Sequence, residues 1–153
     1  MTRDELKKAC LELTNTMPVV YIATAGSDGM PFIRAVENLR DRERFSGLVE
    51  IFEPILDEFV TYFSTNTSSV KVSHIKENSA VSIYYCDPAK HRGLMLGGRM
   101  EIVTDSELKH AFWLDGWEMY YPKGKDDPDY TILRFNPEFA RGWWENRLYE
   151  FSL

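Results

Sequence analysis

The chain has 153 residues, 44% of them hydrophobic and 14% aromatic, which suits one domain with its own core and is too short for two. Acidic residues outnumber basic ones by 24 to 18, giving a net charge of −6. That balance argues against nucleic acid or an anionic membrane as a partner, because both attract concentrated positive charge. Cys10 and Cys86 fit no metal-ligand spacing and predict two free thiols in a reducing compartment. The charged N-terminal segment resembles no signal peptide, so we expect a cytoplasmic protein.

The first third of the chain begins with a helix and continues with a hairpin. Apolar residues at helical spacing predict an α-helix over residues 3–16, ended before Pro18. Two segments rich in β-branched and aromatic residues, 19–24 and 31–36, flank the turn residues 26–29. The Asp-Gly pair in that turn makes a β-hairpin the clearest local prediction.

The middle of the chain mixes both element types. Residues 40–46 form a charged connection, and residues 48–58 fit a strand and a short helix equally well. A strand is predicted over 59–63, and a helix over about 67–77, because several Ser and Thr residues precede it as candidate N-caps. Another strand follows at 80–86.

The last third is again mostly strand. A long strand is predicted at about 93–103, where Gly97-Gly98 suggests a bulge or a close approach. We further predict a helix at 105–113, a loop at 121–129, and strands at 130–136 and about 139–145 before a short tail. Strands joined mostly by turns favour a mainly β protein, an antiparallel barrel with peripheral helices, over a doubly wound parallel sheet.

Nucleophilic and metal chemistry find little support in the sequence. There is no Gly-x-Ser-x-Gly, His-Glu-x-x-His or Cys-x-x-Cys motif. His74, His91 and His110 stand apart from one another and from the cysteines. We therefore expect no metal site in the protein and assign no catalytic side chain.

A phosphate site has better support. The run Ser64-Thr65-Asn66-Thr67-Ser68-Ser69 ends a strand, opens a helix and is followed by Lys71. Hydroxyls, helix N-terminal N–H groups and an ammonium can together bind an anion. Plain helix capping with a solvated lysine explains the run equally well.

A second cation and the aromatic residues leave similar alternatives open. Arg34 shares a strand face with Phe32 and Val36, so it needs either a carboxylate or a phosphate as partner. The aromatic residues are typical of a core or subunit interface, and they could also form the wall of a site for a flat ring. They lie in two groups, one with Trp113, Trp117, Tyr120 and Tyr121 and one with Trp143 and Trp144.

Several short motifs follow one another along the chain in an order that is typical of a known family. They are Ala23-Thr24, Asp28-Gly29-x-Pro31-x-x-Arg34-x-Val36, Phe63-Ser64-Thr65-Asn66, Ser69-x-Lys71, Ile75-x-x-Asn78, Gly98-x-x-Glu101, and Trp143 after Phe135-Asn136-Pro137. Across residues 5–145 this order and spacing resemble the pyridoxamine 5'-phosphate oxidase-like family of FMN-binding split barrels, in particular its small general-stress-protein-like members. The resemblance implies a six-stranded antiparallel split barrel that forms a homodimer, with FMN in clefts at the subunit interface.

The resemblance also implies a role for individual residues. Arg34 and Lys71 would bind the FMN phosphate with help from Ser69. Trp143 would approach the flavin from the partner subunit. Contacts to the flavin or ribityl chain would come from Ala35, Val36, Ser64 and Thr65.

Three departures from the oxidase pattern narrow the expectation. Val70 and Gly93 replace an arginine and a glutamine, which predicts weaker flavin binding. The oxidase's C-terminal Arg-x-His motif is missing, since residues 146–150 occupy its place, so pyridoxamine phosphate is not the expected substrate. The sequence predicts an FMN-dependent oxidoreductase acting on an unidentified small molecule, with the cofactor performing the redox chemistry. The alternatives are a flavin-binding stress protein without turnover and a split barrel that uses haem or a deazaflavin, where His74 is the residue of interest.

Overall fold

The computed structural model describes residues 1–153 as a mainly β protein with seven strands and four helices. The strands are β1 (Val19–Ala25), β2 (Pro31–Glu37), β3 (Thr61–Asn66), β4 (Ala80–Asp87), β5 (Arg92–Ile102), β6 (Tyr130–Trp144) and β7 (Arg147–Ser152). The helices are α1 (Arg3–Thr16), α2 (Val49–Phe52), α3 (Val70–Glu77) and α4 (Ser106–Ala111).

Six strands form one curled antiparallel half-barrel in the order β2-β1-β4-β5-β6-β3, and β7 pairs with the second half of β6. This confirms the predicted mainly β fold, a six-stranded antiparallel split barrel with peripheral helices. The predicted β1–β2 hairpin is present, with Arg34 opposite Ile22 and Phe32 opposite Thr24. Directly opposed residues share a sheet face, and so do alternate residues of one strand. Arg34 therefore lies on the same face as Ile22 and Thr24, which is the inner face of the sheet.

The sheet encloses the larger of two hydrophobic clusters. The inner cluster has 20 buried residues, among them Ile22, Ile83 and Leu96 from neighbouring strands. A second cluster of 10 buried residues lies on the outer side of β3 and β6 and contains Trp117 and Tyr121. Trp117 and Tyr121 are therefore core residues, as expected for one interpretation of the aromatic group, and not the wall of a site for a flat ring. None of the helices has an apolar stretch long enough to cross a membrane.

The C-terminal strands differ from the prediction. In place of two strands with a break at residues 137–138, β6 is continuous, and the expected tail is β7. A register shift between Gly97 and Gly98 absorbs the irregularity at Pro137. Gly98 is required there because a Cβ would overlap the carbonyl oxygen of Asn136. The predicted bulge is confirmed, and it is what allows the strand to pass the proline.

The connection before β3 is helical and is held by a buried arginine. Residues 48–58, left open between strand and helix, contain α2 and flanking 3₁₀ turns. Arg40, in the connection expected to be simply charged, is 2% exposed. Its guanidinium donates to the Asn15 side chain at 2.9 Å and to the carbonyls of Glu58 and Val60 at 2.8 and 2.6 Å. Arg40 therefore ties α1 to the entry of β3.

Candidate functional site

Arg34 has no acidic partner. Its Nη1 donates to the Thr24 hydroxyl at 2.7 Å, to the Phe32 carbonyl at 3.0 Å and, more weakly, to the Ile22 carbonyl at 3.4 Å. It is absent from the ion pairs of the molecule, which join other residues. The salt bridge considered from the sequence is therefore not formed, and the charge remains available to an anion.

Lys71, in the first turn of α3, lies within range of the charge of Arg34. Burial and, secondarily, the positive charge of Arg34 lower the pKa of the Lys71 ammonium. Lys71 also takes part in no ion pair. Two cations from separate elements, β2 and α3, are thus held together without a carboxylate to neutralise them.

The start of α3 adds neutral donors to this pair. Ser69 is the N-cap: its hydroxyl accepts from the Val72 N–H at 3.4 Å and lies 3.4 Å from the Thr65 hydroxyl. The backbone N–H of Lys71 donates to no acceptor in the chain. Because Ser69 caps it, α3 begins at Val70 and not at residue 67, so the donors cluster at residues 69–71.

Asp129, which the sequence analysis did not single out, fixes the loop between β3 and α3. Its carboxylate accepts from the Ser68 N–H at 2.9 Å and from Asn66 Nδ2 at 2.6 Å, while its carbonyl accepts from the Thr67 N–H at 2.8 Å. The bonds from Asn66 and Ser68 to the carboxylate lower the pKa of Asp129. The N–H groups of residues 67 and 68 are consequently occupied, which leaves only the Lys71 end of the loop free for an external anion.

The other predicted site residues are more dispersed. Ala35 is exposed on the outer face of β2, and Val36 packs against the inner cluster. The Ser64 side chain lies on the same sheet face as Ile132 and so faces the second cluster. Trp143 is 52% exposed on β6, four strands from β2 in the sheet order. Within one chain Trp143 is therefore not part of the Arg34–Lys71 cluster.

Two positions that differ from the oxidase pattern also have structural roles. Val70, directly before Lys71, is 51% exposed. Because this residue is a valine, the start of α3 has no third cation beside Lys71 and Arg34. A Cβ on Gly93 would overlap the Tyr84 hydroxyl, so the Tyr84 ring occupies the space a longer side chain at residue 93 would need.

Thr24 contacts Arg34 directly, and His74 contacts Thr24. The Thr24 hydroxyl lies 3.0 Å from Nδ1 of His74, and the His74 ring packs edge-on against Phe32 with centroids 5.0 Å apart. Thr24 and Arg34 share a face because Thr24 pairs with Phe32, two residues from Arg34 on the same strand. The contact with His74 required the packing of α3 on β1.

The sequence and the fold are both similar to those of known proteins. The family profile described as pyridoxamine 5'-phosphate oxidase matches residues 6–144. General stress protein 26 of Bacillus subtilis (strain 168) is 31% identical over 88 residues, which cover 56% of this chain and 62% of that protein. The match therefore spans less than two thirds of the length of this relative.

Solved structures cover nearly the whole chain. A protein of Clostridium acetobutylicum related to general stress protein 26 is 30% identical, covers 99% of this chain and 97% of its own, and has a TM-score of 0.75. A haem-binding protein of Mycobacterium smegmatis (16% identity, TM-score 0.68, covering 99% of this chain and 60% of its own) shares the fold. An F420 reductase is 25% identical, with a TM-score of 0.58, over 84% of this chain and 93% of its own. The family match over residues 6–144 shows that the chain belongs to the pyridoxamine 5'-phosphate oxidase family.

Proposed function

We propose that the protein binds FMN and that the FMN phosphate lies between Arg34 and Lys71. The observation that carries this proposal is the pair of adjacent cations without a carboxylate partner. Placing two positive charges together in a partly buried position is unfavourable unless a ligand neutralises them. A dianionic phosphate does so and accepts charge-assisted hydrogen bonds from both side chains.

The surrounding donors fit a phosphate group. The Lys71 N–H at the start of α3 is free, and the Ser69 and Thr65 hydroxyls are adjacent, as an anion site at a helix N-terminus requires. A bound flavin would supply electron transfer between a nicotinamide or other donor and a small molecule. The chain itself would bind the phosphate, orient the cofactor and shield it from water.

A homodimer with the cofactor at the subunit interface is part of the proposal. Four large apolar residues of the β1–β2 hairpin are exposed in the single chain, namely Tyr21, Met30, Phe32 and Ile33, with Ile33 at 71%. Tyr21 and Ile33 are diagonal neighbours on the outer face of the hairpin, whereas Phe32 lies on the inner face. The exposed apolar surface around Ile33 is of the kind that marks an interaction site. A second copy covering the hairpin would also bring a new protein surface close to Arg34, which lies on the same strand as Ile33.

The cofactor can be tested directly. We expect the purified protein, or the apoprotein after addition of FMN, to show oxidised-flavin absorption, and FMN to bind more tightly than riboflavin because only FMN carries a phosphate. Equal affinity for FMN and riboflavin would contradict the phosphate assignment. A Soret band without flavin peaks, or binding of a deazaflavin in preference to FMN, would favour one of the other two cofactors, which relatives of this fold are named for.

Turnover requires a separate measurement. Anaerobic mixing of the FMN complex with NADH or NADPH should bleach the flavin absorption at ~450 nm if the protein is a nicotinamide-dependent oxidoreductase. Stable absorption with both donors would favour the alternative of a flavin-binding protein without turnover.

A further inference from the structure

Arg34 is linked to α3 by a chain of two hydrogen bonds. Its Nη1 is 2.7 Å from the Thr24 hydroxyl, which is 3.0 Å from Nδ1 of His74. The three residues lie on β2, β1 and α3. The chain of bonds thus connects the strand that carries one cation with the helix that carries the other.

The chemistry of the groups fixes the direction of the first bond. A guanidinium only donates, so Thr24 Oγ1 accepts from Arg34. The hydroxyl keeps its own proton and a second lone pair, so in the second bond it either donates to an unprotonated Nδ1 of His74 or accepts from a protonated one. In both cases the Thr24 hydroxyl joins Arg34 to His74.

The surroundings keep both intermediaries in place. Thr24 is 1% exposed, and the His74 ring packs against Phe32 at an interplanar angle of 70°. His74 follows Lys71 by three positions in α3, so the two side chains share a helix face. The position of Arg34 relative to Lys71 therefore depends on Thr24 and His74.

We infer that Thr24 and His74 are positioning residues that hold the Arg34 guanidinium towards α3, the helix that carries Lys71, for recognition of a phosphomonoester. This inference rests on the proposed FMN site. Without the Thr24 hydroxyl, Arg34 keeps the Phe32 carbonyl at 3.0 Å as its remaining close acceptor and is free to turn away from α3. The anion site then keeps both positive charges, but the Arg34 guanidinium is no longer held in one position relative to α3.

The test compares matched variants by titration with FMN and riboflavin. Thr24→Val and His74→Leu remove the polar atoms, whereas Thr24→Ser keeps the hydroxyl and His74→Asn keeps a neutral acceptor near the position of Nδ1. We expect Thr24→Val and His74→Leu to weaken FMN binding about five- to tenfold, the value of one lost hydrogen bond. Riboflavin affinity should be unchanged, and Thr24→Ser and His74→Asn should bind FMN like the wild type.

A double-mutant cycle separates positioning from general damage to the fold. If Thr24 acts through Arg34, Thr24→Val should have no further effect on FMN affinity in an Arg34→Ala background. An equal loss in both backgrounds, a parallel loss of riboflavin binding, or wild-type FMN affinity in Thr24→Val would overturn the inference. Wild-type protein that does not distinguish FMN from riboflavin would instead overturn the proposed function.

Discussion

The Arg34 guanidinium and the Lys71 ammonium lie close enough for the charge of Arg34 to lower the pKa of Lys71, and neither meets a carboxylate. In a chain with 24 acidic residues, two neighbouring cations without such a partner are unusual. The arrangement accounts for the proposed phosphate site and determines how it should respond to mutation and to pH.

Removing either cation should weaken FMN binding selectively. We expect Arg34→Ala and Lys71→Ala each to reduce the FMN binding free energy by about 1.5–3 kcal/mol, the range for hydrogen bonds to charged groups. Riboflavin binding should change little. Lys76→Ala, on the exposed side of the same helix, is the matched control and should leave FMN affinity unaltered. Fluorescence titration of all variants measures the effect, and unchanged FMN affinity in both site variants would refute the assignment.

Alkaline pH should weaken FMN binding through Lys71. Burial and the charge of Arg34 lower the Lys71 pKa from its ordinary value of 10.5, so in the free protein the ammonium loses its proton below that pH. Binding the phosphate then requires a proton to be taken up, and affinity falls as pH rises. The ratio of FMN to riboflavin affinity cancels titration of the ring that both ligands share. This ratio should decline with pH in the wild type and be flat over the same range in Lys71→Ala.

Asp129 should stabilise the phosphate loop in a pH-dependent manner. Its hydrogen bonds with Asn66 and Ser68 lower its pKa below the ordinary 3.8, so the unfolded chain takes up a proton first as the solution is acidified. The stabilisation is complete at neutral pH and is lost as pH falls through the lowered folded pKa. Asp129→Asn should melt below the wild type at pH 7, and the difference should shrink in strong acid. A difference in melting temperature that is independent of pH would contradict this.

The buried Arg40 should matter far more to stability than its exposed neighbour Arg42. Replacing Arg40 by Met leaves the Glu58 and Val60 carbonyls without their donor, and we expect a loss of about 2–4 kcal/mol. Arg42→Met breaks an exposed ion pair with Glu12 and should cost no more than about 1 kcal/mol. Urea unfolding of both variants checks the contrast, which equal losses would refute.

The exposed face of the hairpin should mediate dimer formation. Ile33→Lys places a charge on the apolar surface and should shift the protein towards monomers, while Met119→Lys, at an exposed residue in the loop after α4, should not. Analytical ultracentrifugation at several concentrations measures the association. A dimer that survives Ile33→Lys with unchanged affinity would place the interface elsewhere.

The sequence determined most of the local structure. Alternation and the Asp-Gly turn predicted the hairpin and placed Arg34 on the strand face of Phe32 and Val36, and the Gly97-Gly98 pair suggested the bulge. The same patterns failed at β6, because the continuity of a strand past Pro137 depends on how the partner strand adjusts its register. The Ser/Thr run likewise could not show that Ser69, alone among its hydroxyls, caps α3.

Only the tertiary structure decided whether the candidate cations meet a carboxylate or each other. Arg34 and Lys71 are distant in sequence, and their proximity follows from the packing of α3 on the β1–β2 hairpin. The same packing joins Thr24 to His74, whereas the pairing of β3 with β6 brings Asp129 to the Ser68 N–H. Periodicity assigns a side chain to a face of its own element, whereas the partner across that face depends on how the elements pack.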